Sequence, residues 1–148
     1  MSVKAIARGA IAAMLAAFVY AATAQPTAPP PTPYGPSINL ENAKKAAAAS
    51  IAEARKNNWT MAIAVTDIAG NLVYFEKIDG TQTASVNIAI GKSRSAAIFK
   101  RPTKAFMDDL AAGGYGLRIL ALEGAVPVEG GVPIVSEGKV IGGIGASG

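Results

Sequence analysis

The 148-residue chain contains no cysteine and no histidine, and only 6% of its residues are aromatic. Without thiols there is no disulfide frame and no Cys nucleophile. Without imidazole there is no His-based triad, and without either there is no ordinary structural zinc site. Catalysis would have to use carboxylates, Lys, Arg, Tyr, hydroxyls or a bound cofactor. Charge is sparse as well, at 16% of residues, with 14 Lys and Arg against 10 Asp and Glu. The basic residues come singly or in pairs and lack the aromatic interleaving of an RNA-binding surface, so no nucleic-acid partner is expected. What is abundant is apolar material, 51% of residues, in a length that suits one folded domain.

Lys4 and Arg8 precede an apolar run from Ala10 to Ala22 that ends in Ala22-Thr23-Ala24. This is the pattern of a secretory signal peptide, residues 1–24, cleaved after Ala24. The run is shorter than the ~20 residues of a membrane span, and an uncleaved anchor is the alternative reading. Removing it leaves 12 basic and 10 acidic residues. Export without cysteine points to a periplasmic or secreted location. Residues 25–36 hold six of the nine prolines and read as a Pro-rich linker, extended or disordered. Residues 37–148 form the expected domain, with no internal repeat.

Asn39 can cap a first helix, with Glu41 in its opening turn and Ala43, Ala46, Ala47, Ser50, Ile51 and Ala54 on one stripe, closed by Asn57-Asn58. Met61 to Thr66 and Leu72 to Ile78 read as strands of a hairpin joined through Asp67–Asn71. Thr83 or Ser85 can cap a buried second helix that runs to about Lys100. Pro102 breaks it, and Thr103 can cap a third helix that ends at Gly113-Gly114. Leu117 to Leu122 can add a turn. Val132–Ser136 and Lys139–Ile144 alternate around Glu137-Gly138 as a second hairpin. The order predicts an α+β domain around a mainly antiparallel sheet.

Three segments imitate known motifs. Gly91-Lys92-Ser93 resembles the end of a P-loop, but Val86 stands where that loop needs glycine, so Gly91 reads as a site of close helix packing. Gly143-Ile144-Gly145-Ala146-Ser147-Gly148 matches the dinucleotide fingerprint by letter, yet that motif needs a following helix and an acidic residue beyond it. A glycine-rich strand end accounts for it better. Asp108 and Asp109 are adjacent on a helix and diverge by about 100°, so they read as solvated. What remains is a constellation of Lys92, Arg94, Arg101, Thr103 and Lys104 facing Glu123, Glu129-Gly130-Gly131 and Pro133. Cations at a helix end suit an anionic ligand, and glycines let a flat ligand approach the backbone. A helix cap, a basic surface patch and an ordinary turn would produce the same residues.

Ile63-Ala64-Val65-Thr66-Asp67 with Gly70-Asn71-Leu72, then Asp79-Gly80, Lys92-Ser93-Arg94-Ser95-Ala96, Arg101-Pro102-Thr103, Glu129-Gly130-Gly131-Val132-Pro133-Ile134 and Gly138-Lys139-Val140-Ile141-Gly142 occur in order, followed by Gly145-Ala146-Ser147-Gly148. Together they resemble the GlcG/HbpS family of haem-degrading and haem-binding proteins, over essentially all of residues 38–148. The resemblance implies similarity to the C-terminal domain of PduO-type proteins, a profilin-like fold with a five-stranded antiparallel sheet flanked by helices, and homo-oligomers. It implies a secreted binding protein for haem or a related tetrapyrrole, working with a membrane sensor protein. A small lyase on an aromatic or hydroxy-acid substrate and a ligand-free accessory protein are the alternatives, and binding is favoured over catalysis. By analogy with secreted members, Thr103 would turn its hydroxyl to the haem and Arg101 would hold a propionate. Lys104, Glu129, Gly130 and Gly131 complete the expected site, with Tyr115 as a competing oxygen ligand. The sequence departs from the family in lacking any histidine for axial ligation, and the family's helix after the Ala-Ser-Gly segment is expected to be missing.

Overall fold

The computed structural model describes residues 30–148. The expected signal peptide and the first part of the linker lie outside the described residues. From Pro31 onward the chain is one compact unit, built of α1 (Leu40–Lys56), β1 (Ala62–Thr66), β2 (Leu72–Lys77), α2 (Ser85–Phe99), α3 (Thr103–Ala111), a 3-10 helix (Gly114–Ala121), β3 (Gly131–Ser136) and β4 (Lys139–Ser147). The strands lie in the order β2-β1-β4-β3 and every neighbouring pair is antiparallel.

Among the described residues the sheet has four strands, one fewer than the resemblance implied. Beside β4, past the end of β1, runs the last part of the Pro-rich segment. Gly35 N–H donates to the Val140 carbonyl (2.9 Å) and Val140 N–H donates to the Pro33 carbonyl (2.9 Å). Pro33 has no N–H to extend this pairing backward; a parallel bridge joins Tyr34 to Val140, and further on Ile38 N–H donates to the Ile141 carbonyl (2.7 Å). The Tyr34 hydroxyl lies 2.8 Å from the Ile98 carbonyl and 3.1 Å from that of Ala97, pinning the segment to the end of α2.

Strand alternation in β1 sends its side chains to two different layers. Ile63 and Val65 pack with Ile38, Ala43, Ala47 and Ile51 under α1. Ala62 and Ala64 meet Ala89 of α2 on the other face. That second interface is made of small residues because α2 comes very close to the sheet. A Cβ on Gly143 would collide with the Ser93 carbonyl, and one on Gly145 with the Ala89 carbonyl. The fingerprint-like glycines are thus interior strand positions that let a helix settle on β4. Polar groups enclosed there are paired, as burial requires. Ser93 Oγ donates to the Gly143 carbonyl (2.9 Å) and shares a hydrogen bond with Thr66 Oγ1 (2.9 Å).

Asn39 caps α1 as its sequence predicts, its side chain accepting from Asn42 N–H at 2.9 Å. The other expected caps do not form. α2 and α3 begin after Ala84 and Pro102 with no side-chain cap. Ser85 turns inward to Ser147 (3.3 Å) and Thr103 turns to Gly131. Each hydroxyl has an interior partner, which takes it away from its own helix end.

Candidate functional site

Thr103 stands at the first turn of α3 and is fully buried. Its Oγ1 accepts the Gly131 N–H at 2.9 Å, and its hydroxyl points back to the Gly131 carbonyl at 3.4 Å. Gly131 is glycine because nothing else fits: a Cβ there would stand 2.5 Å from the Lys92 carbonyl and 2.7 Å from Thr103 Cγ2. The hydroxyl expected to face a ligand is therefore enclosed, and it joins α3 to the start of β3. Gly130, with φ of 111°, roofs the Lys92 side chain, whose Nζ would lie 3.1 Å from a Cβ at that position. Lys92 is itself buried, and its ammonium donates to the Ala146 carbonyl at 3.0 Å. Burial pushes the Lys92 pKa down, and the charge of Glu129 partly opposes this. Lys92, Thr103 and Gly131 are thus buried together at a junction of α2, α3 and β3, with Glu129 and Gly130 exposed beside it.

The other expected site residues lie outside that junction. The Arg101 guanidinium packs 3.8 Å over the Phe106 ring and 3.7 Å from Asp109. Lys104 pairs with Asp108 at 2.7 and 3.0 Å, and this hydrogen bond raises its pKa. The two aspartates read as solvated are surface ion-pair partners, one for each cation. Tyr115 is 80% exposed, and the Arg118 guanidinium lies 4.0 Å over its ring. Asp109, Ala112, Gly113, Tyr115, Gly116 and Arg118 line a cleft of about 260 Å³. Its wall is fixed by backbone contact, since a Cβ on Gly116 would strike the Asp109 carbonyl. Leu117 and Leu120 are also exposed on the 3-10 helix. Arg118 and Asp109 escape a reading by motif. The available signals were the glycine run around Tyr115, which permits close backbone approach, and the three-residue spacing from Tyr115 to Arg118. Arg94 and Glu123 separate from the rest and line a different cleft with Gly91.

An antiparallel sheet flanked by helices, with α1 on one face and α2 on the other, places the domain in the profilin-like class of α+β folds. At its α3 edge a cation-rimmed apolar surface stands apart from the sheet core. A family model described as haem degrading protein, HbpS-like, matches residues 38–148, and the chain belongs to that family. It is 34% identical over 110 residues to Protein GlcG of Escherichia coli strain K12, covering 74% of this chain and 81% of GlcG. The crystal structure of a double mutant of HbpS from Streptomyces reticuli matches with a TM-score of 0.70 at 29% identity, over 83% of this chain and 86% of that one. The crystal structure of a PduOC:haem complex matches with a TM-score of 0.67 at 21% identity over 76% and 83% of the two chains, a likeness of fold.

Proposed function

We propose that the protein binds haem or a related planar tetrapyrrole at the edge formed by α3 and the 3-10 helix. The observation that carries this is the exposed Tyr115 ring, stacked under Arg118, with Leu117 and Leu120 exposed on the neighbouring ridge of the same 3-10 helix. A flat amphiphile with carboxylates needs an apolar face beside cations, and this edge supplies both, with Arg101 across Asp109 from the same cleft. The family's description as haem degrading supports the choice of ligand. The residues fit the ring and the carboxylates. For the iron, the oxygens lining the cleft include the Tyr115 phenol and the Asp109 carboxylate, both weaker axial donors than imidazole, so affinity is modest. The same exposed side chains suit a homo-oligomer, which light scattering at micromolar concentration would detect as a mass above the monomer.

The reading includes export. Lys4, Arg8 and Ala22-Thr23-Ala24 support a periplasmic or secreted mature chain beginning at Gln25, a location where a membrane sensor is within reach. The intact mass of exported protein tests this, and residues 1–24 still attached to cytoplasmic protein would overturn it. Haemin titration followed at the Soret band tests binding. Arg118→Ala should weaken it about tenfold, the loss of one charge-assisted hydrogen bond at a partly exposed position, and Tyr115→Phe should change the spectrum. No Soret shift in the parent protein would favour the ligand-free accessory reading.

A further inference from the structure

The cleft lined by Gly91, Arg94, Glu123, Gly124 and Val126, about 340 Å³, belongs to none of the residues assigned above. Gly91 opens its floor, where an added Cβ would stand 3.3 Å from Val126. Arg94 sits three residues further along α2, on the same helix face. Its aliphatic stem lies on Gly70, since a Cβ there would be 2.5 Å from Arg94 Cγ. Gly70 in turn belongs to a turn held by Asp67, whose carboxylate accepts the N–H groups of Ala69 (2.9 Å) and Asn71 (2.8 Å). The opposite wall is anchored to the same helix, because Val126 N–H donates to Ser95 Oγ at 3.1 Å.

Both walls are therefore fixed, yet the two charges they carry do not meet. Among the described residues neither Arg94 nor Glu123 joins any ion pair or side-chain hydrogen bond, although both line one cleft. Opposite charges that share a cleft and leave it open complement a molecule carrying both signs. A guanidinium fork takes a carboxylate through two parallel hydrogen bonds, and a carboxylate accepts from an ammonium.

We propose that this cleft binds a small zwitterion, an α-amino acid, with its carboxylate on Arg94 and its ammonium at Glu123. The site is separate from the tetrapyrrole edge and goes beyond that reading. Calorimetric titration of the full domain with L-phenylalanine, with 3-phenylpropionate, which lacks the amine, and with phenethylamine, which lacks the carboxylate, tests it. Phenylalanine should bind most tightly. Arg94→Gln should weaken phenylalanine about tenfold or more, Arg94→Lys should restore part of the loss, and Glu123→Gln should weaken phenylalanine but not phenylpropionate. Arg94 is exposed, so its variants should keep the parent's thermal midpoint and haemin titration, which separates failure here from failure at the other edge. No binding of phenylalanine at millimolar concentration, or equal binding by the parent and Arg94→Gln, would overturn the proposal.

Discussion

Replacing Thr103 with valine removes one hydroxyl and little else, which makes it a sharp test of the junction at the start of α3. Thr103 is fully buried, so no water can replace the lost partner. The 3.4 Å contact to the Gly131 carbonyl is long and contributes little, while the 2.9 Å bond from Gly131 N–H is well formed. Valine fills the same volume, so no cavity forms, but it leaves a buried N–H without an acceptor. That costs about 2 kcal/mol, within the range of roughly 1–3 for an orphaned buried donor. In a domain of this size each kcal/mol moves the thermal midpoint by roughly 3–6 °C, so the expected fall is about 6–12 °C. Thr103→Ser keeps the hydroxyl and loses one methyl, about 1 kcal/mol, and should be the milder change. Urea and thermal unfolding followed by circular dichroism would show a lowered midpoint with an unchanged m-value. The folded variant should retain the parent's Soret titration, because the hydroxyl does not reach the surface. A valine variant within about 0.5 kcal/mol of the parent, or one of full stability that loses haemin binding, would refute this reasoning.

Gly145→Ala should destabilise by about 3 kcal/mol or prevent folding, because its Cβ meets the Ala89 carbonyl and α2 must move off the sheet; chemical denaturation would measure it, and near-parent stability would contradict the close approach. Tyr34→Phe should cost about 1 kcal/mol and speed proteolysis of the Pro-rich segment, since its hydroxyl holds that segment to α2. Lys92 binds its proton less tightly in the folded chain than in the unfolded one, so folding is disfavoured below its lowered pKa. Stability should rise as pH climbs from that value toward 10.5, the ordinary lysine value. Urea unfolding across this window should show that slope in the parent and not in Lys92→Met; parallel curves would contradict it.

The elements were legible where one local pattern decided them. The Ala stripe with Asn39 ahead of it marks α1, and the β-branched runs around Asp67–Asn71 and Glu137-Gly138 mark both hairpins. The glycines at positions 143 and 145 were read as a strand end, but their purpose was not visible, since it depends on which helix lies across them. The second and third helix caps failed for the same reason: Ser85 and Thr103 satisfy the local capping rule, and partners distant in sequence, Ser147 and Gly131, take their hydroxyls. Gly91 does allow a close approach, by Val126 rather than by another helix, and it also lines a cleft. Around the candidate site the sequence marked cations and glycines, which the fold divides among separate places. It could not show that Arg94 and Arg101 serve different surfaces, or that Arg118 stacks on Tyr115.

The most direct test of the central claim is paramagnetic broadening of backbone amide signals by haemin, recorded on the isotope-labelled protein. Binding at the α3 edge predicts that amides of residues 112–120 broaden first, with those of α1 and the distant β2 unaffected. Broadening centred elsewhere, or uniform loss of signal without a preferred region, would contradict the assignment of this edge as the tetrapyrrole site.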